Sequence, residues 1–418
     1  MTPRMDQLRQ FTSSVLAGSA GERNGVDRMG LLSAKRGIAV LAAGVATAAL
    51  STAATGVASG ATYTDLTGEG SLLQSIAQSS IWGSGYSTLS GGRTLTYTAN
   101  DNALTAIGAN ALGNVPTHLE VYATDDPPSA TGIANIRSNA GGTTGVEVIP
   151  VAQAAIAVIA NLPTGCTGTG PLNARPAQIA RAYNSGGATA ADVFGTAVSG
   201  TACTGLMTPV AYARPSGMTL NFKRYLALRG YSGAVDALAG TWPANVRASA
   251  SSGGNLVSLV NTTKGSIGYV ALAHAISGGL TTTSTTAGFI ANVDGQAAQV
   301  RVGTRVRSNC NGAAYTSTPF TTANADWNGV FPDLANPSYS GYPICALTYV
   351  LGYSDPYTSL PTRATGGAFT AAEGLSVAAY YQYVTGSLSG AIDINAQNYA
   401  ALPGTIQAIA ATGAARIN

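Results

Sequence analysis

The chain has 418 residues, 45% of them hydrophobic and only 9% charged; disordered chains show the reverse balance and are excluded. One core does not serve this length, so two domains of about 150 residues each are expected. The formal charge is +3, with no dense basic patch and no aromatic-basic interleaving. Nucleic acid is therefore excluded as a partner, because displacing its counterions needs clustered cations.

In chain order, the first feature is an address. Residues 37–50 read GIAVLAAGVATAAL, preceded by Lys35 and Arg36 and followed by small residues ending GVASGA at 56–61. A basic start, a short apolar run and a small-residue site define a secretory signal peptide. A membrane-spanning helix would need about 20 apolar residues. Residues 1–61 are expected to be an export segment cleaved near 58–61. Residues 1–28 are polar and carry Asp6, Glu22 and Asp27, and Met29 opens the conventional MGLLSAKRG, so translation is expected to start there. No cysteine lies near the cleavage site, so no lipid anchor is expected. The mature chain should be near neutral and extracytoplasmic, in a periplasm or at a cell surface.

From Gly60 onward, short apolar β-branched runs alternate with Ala-rich stretches. Strands are predicted at 94–99, 118–124, 147–153, 155–162, 266–272 and 344–351. Helices are predicted at 71–82, 103–112, 176–184, 218–228, 253–262, 370–385 and 404–417. The alternation implies an α/β fold with mainly parallel sheets. The run AIAVIANL at 155–162 suits a strand buried on both faces. Tracts near 138–145, 277–287 and 309–328 read as loops. Cys166, Cys203, Cys310 and Cys345 form no C-x-x-C pair, and export favours two disulfides over metal binding. Four cysteines allow three connectivities; sequential pairing is preferred. No metal site or cofactor is expected. The two histidines, His118 and His274, have no triad context, and no G-x-S-x-G elbow occurs, so an enzyme is not expected.

Four segments bear on chemistry. TGEGSLLQSI (67–76) is a Gly-rich turn entering a helix, either an anion site or a helix capped by Ser71. VYATDDPPSA (121–130) ends a strand in acidic residues. Asp125 would sit where open α/β sheets bind ligands, or else in a solvated turn. In ARPSGMTLNF (213–222), Ser216 and Gly217 open a helix just after Arg214. They offer a hydroxyl, an amide, a helix dipole and a guanidinium fork to an oxyanion, or simple capping with a surface arginine. The stretch 252–275 packs a helix and then a strand, and its glycines read as core.

Taken in this order, the segments resemble the phosphate-binding proteins of bacterial uptake systems, within the type II periplasmic-binding fold. GEGSLL is similar to a turn of the form G-A-G-x-T-F, and YATDDP to A-S-D-x-P. EVIPVAQAAIAVIANLP (147–163) resembles the family's crossing segment, and RPSGMTLNFKRYL (214–226) its R-x-x-G-S-G-T-T-x-x-F-x-x-Y-L. GGNLVSLVNTTKGSIGYV (253–270), YPICALTYVL (342–351) and NYAALPGTIQAIAATGAARI (398–417) look like the family's G-S-I-G-Y-V, Y-P-I-x-x-x-T-Y and Y-x-x-L-P segments.

The resemblance implies a two-lobed α/β protein, each lobe a mainly parallel sheet flanked by helices, with two hinge crossovers. Lobe I would combine 62–153 with 341–418, and lobe II would span 154–340. Phosphate or a related small oxyanion would lie between them, held by Asp125, Arg214, Ser216 and Gly217. Leu72 and Leu73 replace a threonine and an aromatic and could offer only their amides. Met218 replaces a threonine. The family's second serine falls at NDNA, with Asn102 nearest and Asp101 beside it. The implied partner is an ABC transporter permease, and the protein is expected to act as a monomer. The alternative is a divergent cell-surface scaffold that no longer binds phosphate, because hydroxyl donors are lost and a carboxylate is introduced.

Overall fold

The computed structural model describes residues 62–101, 119–139, 145–235, 241–283, 285, 287–302, 305–310, 315, 325–328, 330–332, 340–355, 369–386 and 398–417. The expected export segment, the helix expected at 103–112 and Asn102 lie outside these residues.

The organising element is one long strand, β4 (Val146–Asn161), buried along all of its 16 residues. Its sequence, VEVIPVAQAAIAVIAN, does not alternate polar with apolar, as suits a strand covered on both faces. The two strands expected at 147–153 and 155–162 are therefore a single one. Its first part pairs antiparallel with β8 (Cys345–Tyr353), from Val146↔Tyr353 to Ala155↔Cys345. Its last part pairs antiparallel with β7 (Ser266–Ala271), from Ile156↔Ala271 to Asn161↔Ser266. The partner changes between Ala155 and Ile156, so β4 joins two halves of one sheet.

In the first half, β1 (Leu66–Gly70) lies between β2 (Leu95–Ala99) and β3 (Val121–Thr124), parallel to both. In the second half, β5 (Thr208–Tyr212) lies between β7 and β6 (Arg247–Ala250), again parallel to both. The order is β2-β1-β3-β8-β4-β7-β5-β6, with the short pairs Phe289–Ile290 and Tyr399–Ala400 added against β4. The sheet is thus mixed: each half is parallel at its edge, and the strands that pass between halves run antiparallel to their neighbours. Register shifts between Thr348 and Tyr349, which pair with Ala152 and Pro150. Pro150 has no N–H to donate to the ladder, and a bulge is the usual accommodation.

Helices cover the sheet. The first, α1, joins Ser75–Ala77, a π-helical stretch Gln78–Trp82 and Gly83–Leu89; it starts later than 71 and ends later than 82. It is followed by α2 (Ala130–Asn139), which no predicted element covers, and α3 (Pro176–Tyr183), whose Pro176 occupies a first-turn position that needs no amide. After a short helix Ala190–Phe194 come α4 (Gly217–Ala227) and α5 (Gly253–Thr262), which begin at serine caps, Ser216 and Ser252. Last come α6 (Leu272–Ser277), α7 (Ala371–Val384) and α8 (Gly404–Ala414); Thr370 and Glu373 form a capping box on α7. Leu256, Val257 and Val260 of α5 and all of β7 are buried, which places the stretch 252–275 largely in the core.

Disulfides join Cys166 to Cys203 and Cys310 to Cys345. The second ties the 310 region to the first residue of β8. Among the described residues no helix is long and apolar enough to cross a membrane.

Candidate functional site

Because β1, β2 and β3 are parallel, their carboxyl ends meet at one edge: Gly70 pairs with both Ala99 and Ala123. Three chain segments leave that edge together, namely the turn 71–74, Asp101 and Asp125. In open α/β sheets this edge is where ligands bind. In the second half, β5 ends at Tyr212 and leads through 213–216 into α4, which brings Ser216 and Gly217 to the same place.

Asp125 is 3% exposed. Its Oδ1 accepts hydrogen bonds from Ser71 Oγ and Thr348 Oγ1, each at 2.5 Å, and the nearby Leu73 amide also acts to lower the pKa of the carboxylate. Thr348 is aimed by its surroundings. Gln74 Nε2 donates to Thr348 Oγ1 at 2.6 Å and to the Tyr349 carbonyl at 2.7 Å, so the threonine proton is left for Asp125. Gln78 Nε2 in turn donates to Gln74 Oε1 at 2.8 Å, and Tyr380 donates to Gln78 Oε1. Burial raises the Asp125 pKa against these bonds, which lower it. Its Oδ2 is buried with no hydrogen-bond partner.

Asp101 is the second buried carboxylate, 7% exposed. It has a left-handed backbone, φ 50°, a conformation that aspartate tolerates better than most residues. Its amide bonds the Gly70 carbonyl at 3.0 Å. Gly70, with φ 125°, is itself in a region open mainly to glycine. This corner turns the Asp101 side chain inward. Oδ1 accepts the Leu72 amide at 3.0 Å, and the Ser216 hydroxyl and the Arg214 charge nearby act to lower its pKa. Burial, and then the charge of Asp125, raise its pKa. Its Oδ2, like that of Asp125, is buried without a partner.

The expected residues fall out as follows. Ser216 is buried and caps α4, its Oγ accepting the Thr219 amide at 3.2 Å. Gly217 lies against Asp125: a Cβ there would stand 2.7 Å from Asp125 Cβ and 2.9 Å from the Asp126 nitrogen. There is no room for a solute between those two atoms, so any solute site lies beside this contact. Met218, Leu72 and Leu73 bury their side chains and contribute at most amides. Arg214 is exposed and donates through Nη2 to the Ser251 carbonyl at 3.0 Å. Asn102 lies outside the described residues; Asp101 beside it is buried. Sequence reasoning missed Ser71 and Thr348 as partners of Asp125. Ser71 was legible only as a helix cap, and Thr348 only as a strand residue.

Further contacts join the two halves of the sheet here. Asn221 Nδ2 donates to the Asp125 carbonyl at 2.9 Å, and Arg224 Nη2 lies 3.8 Å from Asp126 Oδ1. Ser75 Oγ lies 3.1 Å from His274 Nε2, a Ser–His contact that no local sequence pattern marks. Ser75 Oγ also donates to the Leu72 carbonyl at 3.0 Å. Its one proton being used there, the imidazole must donate rather than accept, which does not activate a nucleophile. His274 Nδ1 has no partner to orient it, and burial lowers its pKa to about 4. Among the described residues no group of three His, Cys, Asp or Glu could hold a metal ion.

No family model and no curated relative matches the sequence. Solved structures do. A high-affinity periplasmic phosphate-binding protein (PfluDING), solved with bound phosphate, matches over 82% of this chain and 92% of its own, with TM-score 0.59 and 20% identity. A phosphate-binding protein from Stenotrophomonas maltophilia matches over 84% and 93%, with TM-score 0.60 and 19% identity. A human phosphate-binding apolipoprotein matches over 82% and 93%, with TM-score 0.57 and 16% identity. The chain therefore has the α/β fold of the periplasmic phosphate-binding proteins.

Proposed function

We propose that the chain is an exported solute-binding protein that holds a small oxyanion, phosphate foremost, where the two halves meet, for ABC-type uptake. The observation that carries this reading is the unpartnered Oδ2 of buried Asp125 beside the first turn of α4. A buried acceptor without a donor costs about 1–3 kcal/mol, and a protonated oxyanion supplies that donor. The first amides of α4 have no carbonyl within the helix to bond and attract negative charge. The fold shared with proteins whose names state phosphate binding supports the same ligand. Closure of the two lobes over the solute and its delivery to a permease complete the proposal. Two disulfides suit an oxidising, extracytoplasmic compartment.

Calorimetry on the purified mature chain at pH 6 tests the reading. One phosphate per chain should bind, and Asp125→Ala should weaken it by about 100-fold, the effect of losing one charged hydrogen bond. No heat at millimolar phosphate removes the proposal. Phosphatase activity lost in Asp125→Asn would overturn the reading as a binding protein. A second reading, a surface scaffold that has given up phosphate, draws on one observation: the Leu72 amide, a potential anion donor, is already engaged by Asp101.

A further inference from the structure

The far end of α4 carries chemistry that the oxyanion site does not use. Asn221 and Arg224 of α4 and Leu228, which caps its carboxyl end, are three and four residues apart, so they share one face of the helix. With Phe331, Pro343 and Ile344 they line a pocket of about 300 Å³ that opens to solvent. Asp125, Ser216 and Gly217 are not in its lining, and among the described residues no acidic side chain is. Arg224 is the cation of the pocket. Its side chain is 20% exposed, and burial works against its charge. A guanidinium has five donors. Here Nη2 donates to Asn328 Oδ1 at 3.5 Å, the outer limit of a hydrogen bond, and lies 3.8 Å from Asp126 Oδ1. Arg224 Cζ stands 5.9 Å from the centre of the Phe331 ring. Phe331 is a wall of the pocket, so the guanidinium itself, and not its stem alone, stands at that wall.

We propose that this pocket is a second binding site, for a small organic carboxylate with an apolar body: the carboxylate forks onto Arg224, and the body lies against Leu228, Phe331, Pro343 and Ile344. The parallel N–H groups of a guanidinium match the two oxygens of a carboxylate, and such a pair is stronger where water is partly excluded. The walls select the rest of the ligand. Ile344 is buried, but Leu228 is 56% exposed, so apolar surface at the mouth stays in water until a body covers it. An inorganic oxyanion would satisfy the guanidinium and leave that surface wet. A neutral apolar molecule would cover the surface and leave the guanidinium without its partner. A carboxylate joined to an apolar group does both. Asp126 is the competitor within the chain, because at 3.8 Å it offsets the charge of Arg224 without taking a hydrogen bond from it. Carboxylate binding here requires no phosphate at Asp125.

Calorimetry of the mature chain with benzoate, acetate and benzyl alcohol tests this. One benzoate per chain should bind in the millimolar range. Acetate lacks the body and benzyl alcohol lacks the charge, and each should bind about tenfold more weakly or worse. Arg224→Met keeps the length of the side chain and removes the charge. It should weaken benzoate by about tenfold or more, the effect of losing one charged hydrogen bond. Leu228→Glu changes an exposed position and should leave the melting temperature as it is. Its carboxylate, four residues from Arg224, pairs with the guanidinium and repels a second anion, so benzoate should weaken by a similar factor. No saturation at millimolar benzoate overturns the site, and so does benzoate binding that survives both substitutions. Acetate binding as tight as that of benzoate overturns the ligand class. If Arg224→Met does not fold, Leu228→Glu decides alone. Failure of phosphate to bind would remove the oxyanion reading and leave each of these outcomes as it stands.

Discussion

A methyl group added at position 217 would meet Asp125 Cβ at 2.7 Å and the Asp125 carbonyl carbon at 2.8 Å, and backbone cannot swing aside as a side-chain tip can. Alanine is the better helix former by up to about 1 kcal/mol, but overpacking against fixed atoms costs about 1–3 kcal/mol, and the clash wins. Gly217→Ala should lower the urea midpoint of unfolding without changing its slope, and it should weaken phosphate binding. An unchanged midpoint would mean that the contact between the halves yields easily. At this scale the sequence was informative in part. Asp125, Ser216 and Gly217 stand together, each marked by its place at the end of a strand or the start of a helix. Asp101 was visible only as an intruder beside Asn102. Its inward turn depends on one backbone angle and on Gly70, which no local pattern encodes.

At the scale of the element, the bulge in β8 connects sequence to site. Pro150 in β4 cannot bond across the sheet, the register slips between Thr348 and Tyr349, and Thr348 Oγ1 reaches Asp125. Thr348→Val keeps the shape and removes the hydroxyl. It should cost about 1–3 kcal/mol of stability, the price of leaving part of a buried carboxylate unbonded, and a denaturation curve measures it. A loss within error would mean that Ser71 and the Leu73 amide suffice. Strands and helices with strong periodicity were legible: helix 253–262 matches α5 end to end, and β7 begins at the expected Ser266. The continuity of β4 was less so. Its apolar residues hide the change of partner at Ile156, because both halves of the sheet bury the strand equally. The parallel rule failed at β4 and β8 because these strands carry the chain across to the other half.

For the whole molecule, the arrangement is a sheet in two halves, and the segments that follow the parallel strands of each half meet. Among the contacts of the described residues at this meeting are Gly217 against Asp125, Asn221 on the Asp125 carbonyl, Arg224 near Asp126, and Ser75 beside His274. They come from segments far apart in sequence, which is why spacing alone did not reveal them. The same distance in sequence separates the two carboxylates from the helix start they share. The central claim is that an oxyanion sits on Asp125 at the first turn of α4. Arsenate has the shape and protonation of phosphate and can be located by its anomalous scattering. A crystal structure of the mature protein grown with arsenate at pH 6 should place one arsenic atom with oxygens in hydrogen-bond reach of Asp125 Oδ2 and of the Gly217 or Met218 amide. Arsenic found elsewhere, or no arsenic between the halves at millimolar arsenate, would contradict it.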